Sequence, residues 1–264
     1  LNSDDLDRAV SGCSVVFHLA ALVQVGGSEL DPISYFEANG LGSARTFDAC
    51  RRAGVERVVY ASTSHVYGIP KRLPVPEDHP LAPQSPYAAS KLAGENALQG
   101  FCAGFPMTGR VGRIGNIYGA SGRVDTVTGS ALSQAANEGR ISLRNLSSVR
   151  DFTHADDVVE ALIRLAAMDV DDGECVTVNI SCGEGASVWD MAETVAEIVE
   201  ESGNPRPQVN QSGQAIEEAV PELVLDNTSL AELTGWRPEI SLEAGLRTAM
   251  HEFWPARMAG VVQR

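Results

Sequence analysis

Arg57-Val58-Val59-Tyr60-Ala61-Ser62-Thr63-Ser64-His65-Val66-Tyr67-Gly68, followed downstream by Tyr87-Ala88-Ala89-Ser90-Lys91, is the stretch on which the reading of this chain turns. The first part is a Val-rich apolar run that ends in three hydroxyl side chains, the pattern of a buried strand opening into a polar loop. In the second part Tyr87 and Lys91 are four residues apart, which on a helix places both on one face, one turn apart. A phenol with a pKa near ~10 is a poor base at neutral pH. An ammonium group beside it is expected to favour the phenolate and lower that pKa. A hydroxyl from Ser62, Thr63 or Ser64 at the strand end would bond a substrate alcohol or carbonyl opposite the phenol. Together these groups form a proton-transfer set for interconverting an alcohol and a ketone.

Outward from this stretch, strands and helices alternate. Val15-Val16-Phe17-His18-Leu19 reads as a short buried parallel strand. Ser34 to Ala53 reads as a helix stopped by Gly54. Arg57 to Ala61, Thr108 to Ile114 and Val176 to Ile180 are further strands. Helices are expected at Ser90 to Ala103, Asp125 to Gly139, Asp156 to Met168, Val188 to Ser202, Ser229 to Leu233 and Ser241 to Trp254. Such alternation predicts an α/β fold, a Rossmann-like doubly wound parallel sheet covered on both faces. The C-terminal third alternates less regularly and has longer loops.

The 264 residues suffice for one large domain, or for one domain with a smaller lobe. A net charge of -15 argues against nucleic acid and anionic membranes as partners. No apolar stretch approaches transmembrane length, and the start of the chain does not read as a signal peptide. The five cysteines, Cys13, Cys50, Cys102, Cys175 and Cys182, have no C-x-x-C pair and no metal-ligand spacing. Reduced thiols in a cytoplasmic protein without a metal are the simplest reading.

The segment from Arg57 to Lys91 resembles the extended short-chain dehydrogenase/reductases, the NAD-dependent nucleotide-sugar epimerases and dehydratases. In that family a strand runs into a Ser/Thr-rich segment and Val-Tyr-Gly, and a Pro-rich loop leads to Ser-Pro-Tyr-x-x-x-Lys. Here the loop spans Pro74 to Pro83 and the second motif is Ser85-Pro86-Tyr87 through Lys91. The likeness extends almost from Leu1 to Trp254. It implies a dinucleotide-binding part over 1–120 and a region over 121–264 that is mainly a substrate-binding lobe, with some segments returning to the sheet. It also implies NAD or NADP as cofactor, a nucleotide sugar as substrate, and a homodimer built on the helices at Ser34 to Ala53 and Ser90 to Ala103.

Counting back from Val66-Tyr67-Gly68, the resemblance makes Thr63 the catalytic hydroxyl beside Tyr87 and Lys91. It places Leu19, Ala20, Ala21, Asn39, Ser62 and Ile114 with Tyr87 and Lys91 around the cofactor. Ser64, His65, Asn116 and Arg150 fall to the substrate. Asn39 has an equal reading as a structural bond between helix and strand, and His18 reads as a core or strand-end histidine. Asn116 lies in Arg113-Ile114-Gly115-Asn116-Ile117-Tyr118-Gly119, with Arg113 structural. Arg150 lies in Arg150-Asp151-Phe152, where it would meet a phosphate, while Asp151 is expected in an internal salt bridge. Asp156 and Asp157 are expected to cap the following helix.

Three departures stand out. His65 replaces the acid that family dehydratases carry just before Val-Tyr-Gly. No Arg-Pro pair occurs in Ala215-Ile216-Glu217-Glu218-Ala219-Val220-Pro221, which leaves Arg150 alone or with Arg123 or Arg144. No G-x-x-G-x-x-G opens the chain, and neither Gly26-Gly27 nor Gly119-Ala120-Ser121-Gly122 replaces it. Leu1 to Leu6 resembles the segment before the family's fourth strand, so two βα units, about 60 residues, are expected upstream. The favoured reading is a piece of a longer protein. A partner supplying those units, or a protein that lacks them, are the alternatives. The function implied is a sugar 4-epimerase working through a 4-keto intermediate. A GDP- or dTDP-sugar 4-ketoreductase or dehydratase is the alternative, and a non-catalytic binding protein with a degenerate cofactor site is the other.

Overall fold

In the computed structural model, residues 3–119, 124–213 and 220–253 are described. The elements run α1 (Ser3–Val10), β1 (Val15–His18), α2 (Val25–Leu30), α3 (Pro32–Tyr35), α4 (Gly42–Ala53), β2 (Arg57–Thr63), α5 (Pro86–Gly104), β3 (Thr108–Ile114), β4 (Asn116–Tyr118) and α6 (Val127–Glu138). They continue with β5 (Arg140–Leu143), β6 (Val149–His154), α7 (Ala155–Ala167), β7 (Cys175–Ile180), β8 (Gly185–Ser187), α8 (Val188–Glu201), β9 (Gln208–Gln211), β10 (Glu222–Leu223), α9 (Thr228–Thr234) and α10 (Leu242–Phe253). Trp254 and the tail beyond it, Arg123, Ala120-Ser121-Gly122 and the acidic stretch Ala215 to Ala219 lie outside the described residues. The chain forms two units. One gathers the described residues up to Ile114 with Glu160–Ile180 and Asp226–Trp236, and the other gathers Gly115–Val159, Ser181–Leu225 and the described residues from Arg237 on.

The first unit holds a four-stranded parallel sheet in the order β1-β2-β3-β7. Val58, Val59 and Tyr60 of β2 are fully buried. β1 was expected to be buried, but Phe17 is 41% exposed and only His18 of the strand is buried, because in this sheet β1 has a neighbour on one side only. Every residue of β3 is buried although the strand reads Thr-Gly-Arg-Val-Gly-Arg-Ile. Gly112 makes room there for Ile180 of β7, whose Cδ1 would stand 2.6 Å from a Cβ at that position. Arg110 and Arg113 are three residues apart and so lie on opposite faces of the strand. Arg110 donates to the carbonyls of Leu165 and Met168 at 3.1 and 2.6 Å and so satisfies the C-terminal end of α7.

The helix expected from Ser34 to Ala53 is interrupted. Asp31 caps α3 by accepting from Ser34 N–H, a widened π turn occupies Phe36–Leu41, and α4 runs on to Gly54 in the left-handed conformation (φ 71°). The π turn holds Asn39, which is fully buried. Such widened turns concentrate at functional sites.

In the second unit β6 pairs in parallel with β10 and β4 and antiparallel with β8, while β5 pairs with β9. Its core is Leu132 of α6, Met191 and Val195 of α8, and Leu246 and Met250 of α10, all buried. Ser187 and Asp190 form a reciprocal capping box that starts α8. Asp157 lies in the first turn of α7. Its carboxylate accepts from the N–H groups of Glu239 and Ile240, both at 3.1 Å, and anchors the segment before α10.

Candidate active site

β2 ends at Thr63, and a tight 3-10 turn, Ser64–Tyr67, follows at once. Thr63 Oγ1 accepts from the N–H of His65 at 3.3 Å, which starts this turn. The turn ends at Gly68 (φ 66°), where a Cβ would stand 2.0 Å from the carbonyl oxygen of Ala82, so no other residue fits. α5 begins at Pro86 because Ser85 accepts from Ala88 N–H at 3.2 Å and proline is tolerated in a first turn. This delivers Tyr87 in the first helical turn and Lys91 one turn later.

Thr63, at the end of β2, and Tyr87, in the first turn of α5, are both buried. Burial raises the Tyr87 pKa by more than the neighbouring Thr63 hydroxyl lowers it, and the net direction is upward. This reverses the expectation that Lys91 holds the phenol low. The Lys91 ammonium lies 4.2 Å over the ring of Tyr60, a cation–π contact, and its backbone carbonyl accepts from Tyr60 Oη at 3.1 Å. Burial depresses the Lys91 pKa to about 8, partly offset by Glu95. Gly94 permits this packing, since a Cβ there would stand 2.2 Å from Tyr60 Oη.

His18 is a buried strand-end histidine. It stacks on Tyr60 at 5.7 Å and bonds Ser43 Oγ at 2.9 Å. Burial, reinforced by the charge of Lys91, lowers its pKa to about 4, so it is neutral at pH 7. Asn39 makes structural contacts. Its Oδ1 accepts from Leu22 N–H at 2.8 Å, and its Nδ2 donates to Leu22 O at 2.9 Å and to Ser90 Oγ at 3.0 Å. Ser90 Oγ in turn donates to the carbonyl of Tyr87 at 2.7 Å. One amide thus pins the loop after β1 to the first turn of α5.

Sequence reasoning missed the floor beneath this corner. Ser62 Oγ donates to the Glu95 carboxylate, which also receives Arg113 Nη2 at 2.8 Å, with both charged side chains 7% exposed. Arg113 further donates to Tyr67 Oη at 3.1 Å, and Tyr67 Oη donates to Asn179 Oδ1 at 2.7 Å. Burial drives the Tyr67 pKa up to about 12, so its hydroxyl stays a donor. Tyr87, Lys91 and Glu95 continue one i, i+4 series, and that spacing is the signal that finds Glu95.

The other expected residues are distributed as follows. Leu19 and Ala20 are exposed at the end of β1 and Ala21 is half-buried. Ile114 is buried and sits opposite Thr63 in the β2–β3 register. His65 packs its ring edge-on to Tyr87 at 6.1 Å. Ser64 Oγ is, among the described residues, the one buried side-chain polar atom with no hydrogen-bond partner. Asn116 and Arg150 belong to the second unit. Arg150 donates to the carbonyls of Val149, Val220 and Pro221 at 2.8, 2.9 and 3.1 Å, and Arg144 is exposed. Among the described residues Asp151 has no salt-bridge partner, where an internal salt bridge is expected. Its buried carboxylate accepts from the N–H groups of Cys182, Gly183 and Leu225 at 2.9, 3.1 and 3.2 Å, and from Thr153 Oγ1 at 3.2 Å.

The model of the NAD dependent epimerase/dehydratase family matches residues 1–181, well over half of the chain. The chain belongs to the NAD dependent epimerase/dehydratase family. A UDP-glucose 4-epimerase from Mycolicibacterium smegmatis is 32% identical over 246 residues, covering 90% of this chain and 75% of the relative. The solved UDP-glucose 4-epimerase of Thermotoga maritima with UDP-glucose is 28% identical with a TM-score of 0.84, over 96% of this chain and 81% of that one. RMD from Pseudomonas aeruginosa complexed with NADPH is 25% identical with a TM-score of 0.85, over 96% and 85% of the two chains. The protein is therefore an enzyme of a nucleotide-sugar, NAD-dependent family with a Rossmann-like fold. Among the described residues no helix is long and apolar enough to cross a membrane.

The residues present fit the nicotinamide half of such a cofactor. The exposed, small-sided segment after β1 leaves backbone open to approach, and Asn39 holds that segment rigid. Lys91 is a buried ammonium engaged by a ring face, with donor capacity left for ribose hydroxyls. When bound, the dinucleotide supplies a hydride acceptor; the protein supplies the proton chemistry.

Proposed function

We propose that this enzyme interconverts the two C4 epimers of a nucleotide hexose, a UDP-sugar first among them, through a 4-keto intermediate. The observation that carries the reading is the placement of buried Thr63 at the end of β2 and buried Tyr87 in the first turn of α5, with Lys91 one turn on. Thr63 holds the sugar hydroxyl against the phenol, and Tyr87 Oη takes the hydroxyl proton as the carbon is oxidised and returns it on reduction. Lys91 binds the cofactor ribose through the donor capacity of its ammonium. The orphan hydroxyl of Ser64 supports a polar ligand at this corner, because a buried donor left unpaired costs about 1–3 kcal/mol. His65 in place of an acid speaks against dehydration, since no carboxylate follows Thr63 to take the proton beside the ketone.

The dinucleotide is assigned to the first unit, and the nucleotide part of the substrate to Asn116 and Arg150 in the second. The guanidinium of Arg150 would have to leave some of its carbonyl partners to meet a phosphate. A cytoplasmic homodimer resting on α4 and α5 completes the proposal, and light scattering at micromolar concentration reads its mass. The central test is incubation of the protein with NAD and UDP-galactose, UDP-glucose and their N-acetyl and uronic counterparts, followed by NMR of the anomeric protons. Appearance of the C4 epimer without net reduction of NAD supports the proposal. Net formation of a 4-keto-6-deoxy sugar, or consumption of NAD(P)H with a 4-keto sugar and no epimerisation, overturns it in favour of a dehydratase or a reductase.

A further inference from the structure

Cys102 and Cys175 are far apart in sequence, and Gly109 brings them together. Cys175 opens β7 and lies directly across from Gly109 in the β3–β7 register. Cys102, near the end of α5, packs over the same residue and is 1% exposed, whereas Cys175 is half-buried. A Cβ built on Gly109 would stand 2.6 Å from Cys175 Sγ and 2.8 Å from Cys102 Sγ, so both sulfurs fill the space that the missing side chain leaves. The two thiols perturb each other, Cys102 downward and Cys175 upward, and the buried guanidinium of Arg110, the next residue in β3, acts toward the thiolate at both. Neither sulfur takes part in the chemistry at Thr63, Tyr87 and Lys91.

We propose that Cys102 and Cys175 are a modification site, a dithiol that a peroxide converts into an intramolecular disulfide and a thiol reductant restores. One sulfur of the pair reacts first, as the thiolate. It attacks one peroxide oxygen, the O–O bond breaks, and a sulfenic acid forms while the departing hydroxide takes the proton that this thiol gave up and leaves as water. The second sulfur then attacks the sulfenic sulfur, and the hydroxide that departs takes the second thiol's proton to leave as another water. Two electrons pass from the thiol pair to the peroxide. The new bond ties the end of α5 to the edge strand β7, at the opposite end of the helix from Tyr87. It closes a long loop and so restricts the unfolded chain. Cys13 and Cys50 provide an internal comparison, since the Cys13 thiol faces the carbonyl of Ala9 instead.

The test is titration of the native protein with hydrogen peroxide, alkylation of the remaining thiols, digestion and mass mapping. The expected result is loss of two of the five thiols, one cross-linked peptide pair joining Cys102 to Cys175, and full recovery with dithiothreitol. The oxidised protein should melt several degrees higher than the reduced one, and Cys175→Ser should lose both the cross-link and the gain. The proposal is overturned if the cross-link joins other cysteines. It is equally overturned if Cys175 goes to sulfinic acid without bonding Cys102, or if the native protein keeps all its thiols at peroxide levels that oxidise the urea-unfolded chain.

Discussion

Each unit of this protein buries a carboxylate, and the two solve the same problem differently. Glu95, beneath the end of β2, is neutralised by a cation: Arg113 meets it with two nitrogens while Ser62 adds a hydroxyl. Asp151, in β6, is held by dipoles. Three backbone N–H groups, Thr153 Oγ1 and the thiol of Cys182 surround it, and burial still raises its pKa. A charge pair fixes two side chains to each other and leaves either one stranded if the other is lost. An amide cage fixes a side chain to two stretches of backbone and strands no partner charge. The first arrangement sets the angle between β2, α5 and β3 under the proton-transfer groups. The second fastens β6 to the segments at Cys182 and Leu225.

The largest expected effect is on turnover and touches neither carboxylate. Tyr87→Phe deletes the proton carrier and little else, so turnover should fall about 100- to 10,000-fold, with nucleotide-sugar affinity and melting temperature nearly unchanged. Stopped-assay rates and calorimetric titration read the two halves separately. Equal rates for the variant and the parent would remove Tyr87 from the chemistry. Next in size is Glu95→Gln, which keeps the shape and removes the charge. Arg113 is left buried without a countercharge, with the new amide oxygen, Tyr67 Oη and the carbonyl of Glu77 as neutral acceptors. Urea unfolding should show a loss of about 3–5 kcal/mol. A loss under about 1 kcal/mol would mean that water reaches the pair and that the contrast with Asp151 is false.

His18 supplies a pH handle on the first unit alone. Its folded pKa of about 4 lies below the ordinary value of 6.5, so the unfolded chain binds the extra proton between these values. Its contribution is fully present above pH 6.5 and is lost as the pH falls through 4, about 3 kcal/mol in all. Stability measured from pH 7 to pH 4 should fall less steeply in His18→Asn than in the parent. Parallel curves would show that burial beside Lys91 does not keep the imidazole neutral.

The parts of this design legible in the sequence are those written in side chains at fixed spacing. The Val-rich run, the hydroxyl cluster and Tyr87 with Lys91 placed β2, α5 and their shared corner, because each follows from strand or helix period. Spacing alone did not say where the Lys91 ammonium points. Tyr60, three residues before Thr63, captures it with its ring, which is why burial and not a neighbouring charge dominates at Tyr87. The π turn at Asn39 was invisible, since widening a turn needs only a local packing advantage. The Asp151 cage was invisible for a deeper reason: its donors are mostly backbone amides, which every residue but proline carries. A sequence advertises an ion pair by its cation and leaves an amide cage unmarked.

That difference gives the smallest and sharpest prediction. Asp151→Asn is the same chemical change as Glu95→Gln, placed in the other environment. One oxygen of the carboxylate accepts from Cys182 N–H and Thr153, and the other from Gly183 and Leu225 N–H. In asparagine one of these oxygens becomes an NH2, so donors face donors on whichever side it takes. No cation is stranded, because none was paired. The expected loss is about 1–3 kcal/mol, the cost of two unmade bonds to buried amides, below that of Glu95→Gln. Hydrogen exchange should localise it, with protection falling at Gly183 and Leu225 and unchanged at the amides of β2 and α5. If Asp151→Asn instead costs more than Glu95→Gln, the amide cage is the stronger of the two devices, and charge pairing is not what makes the floor under Tyr87 rigid.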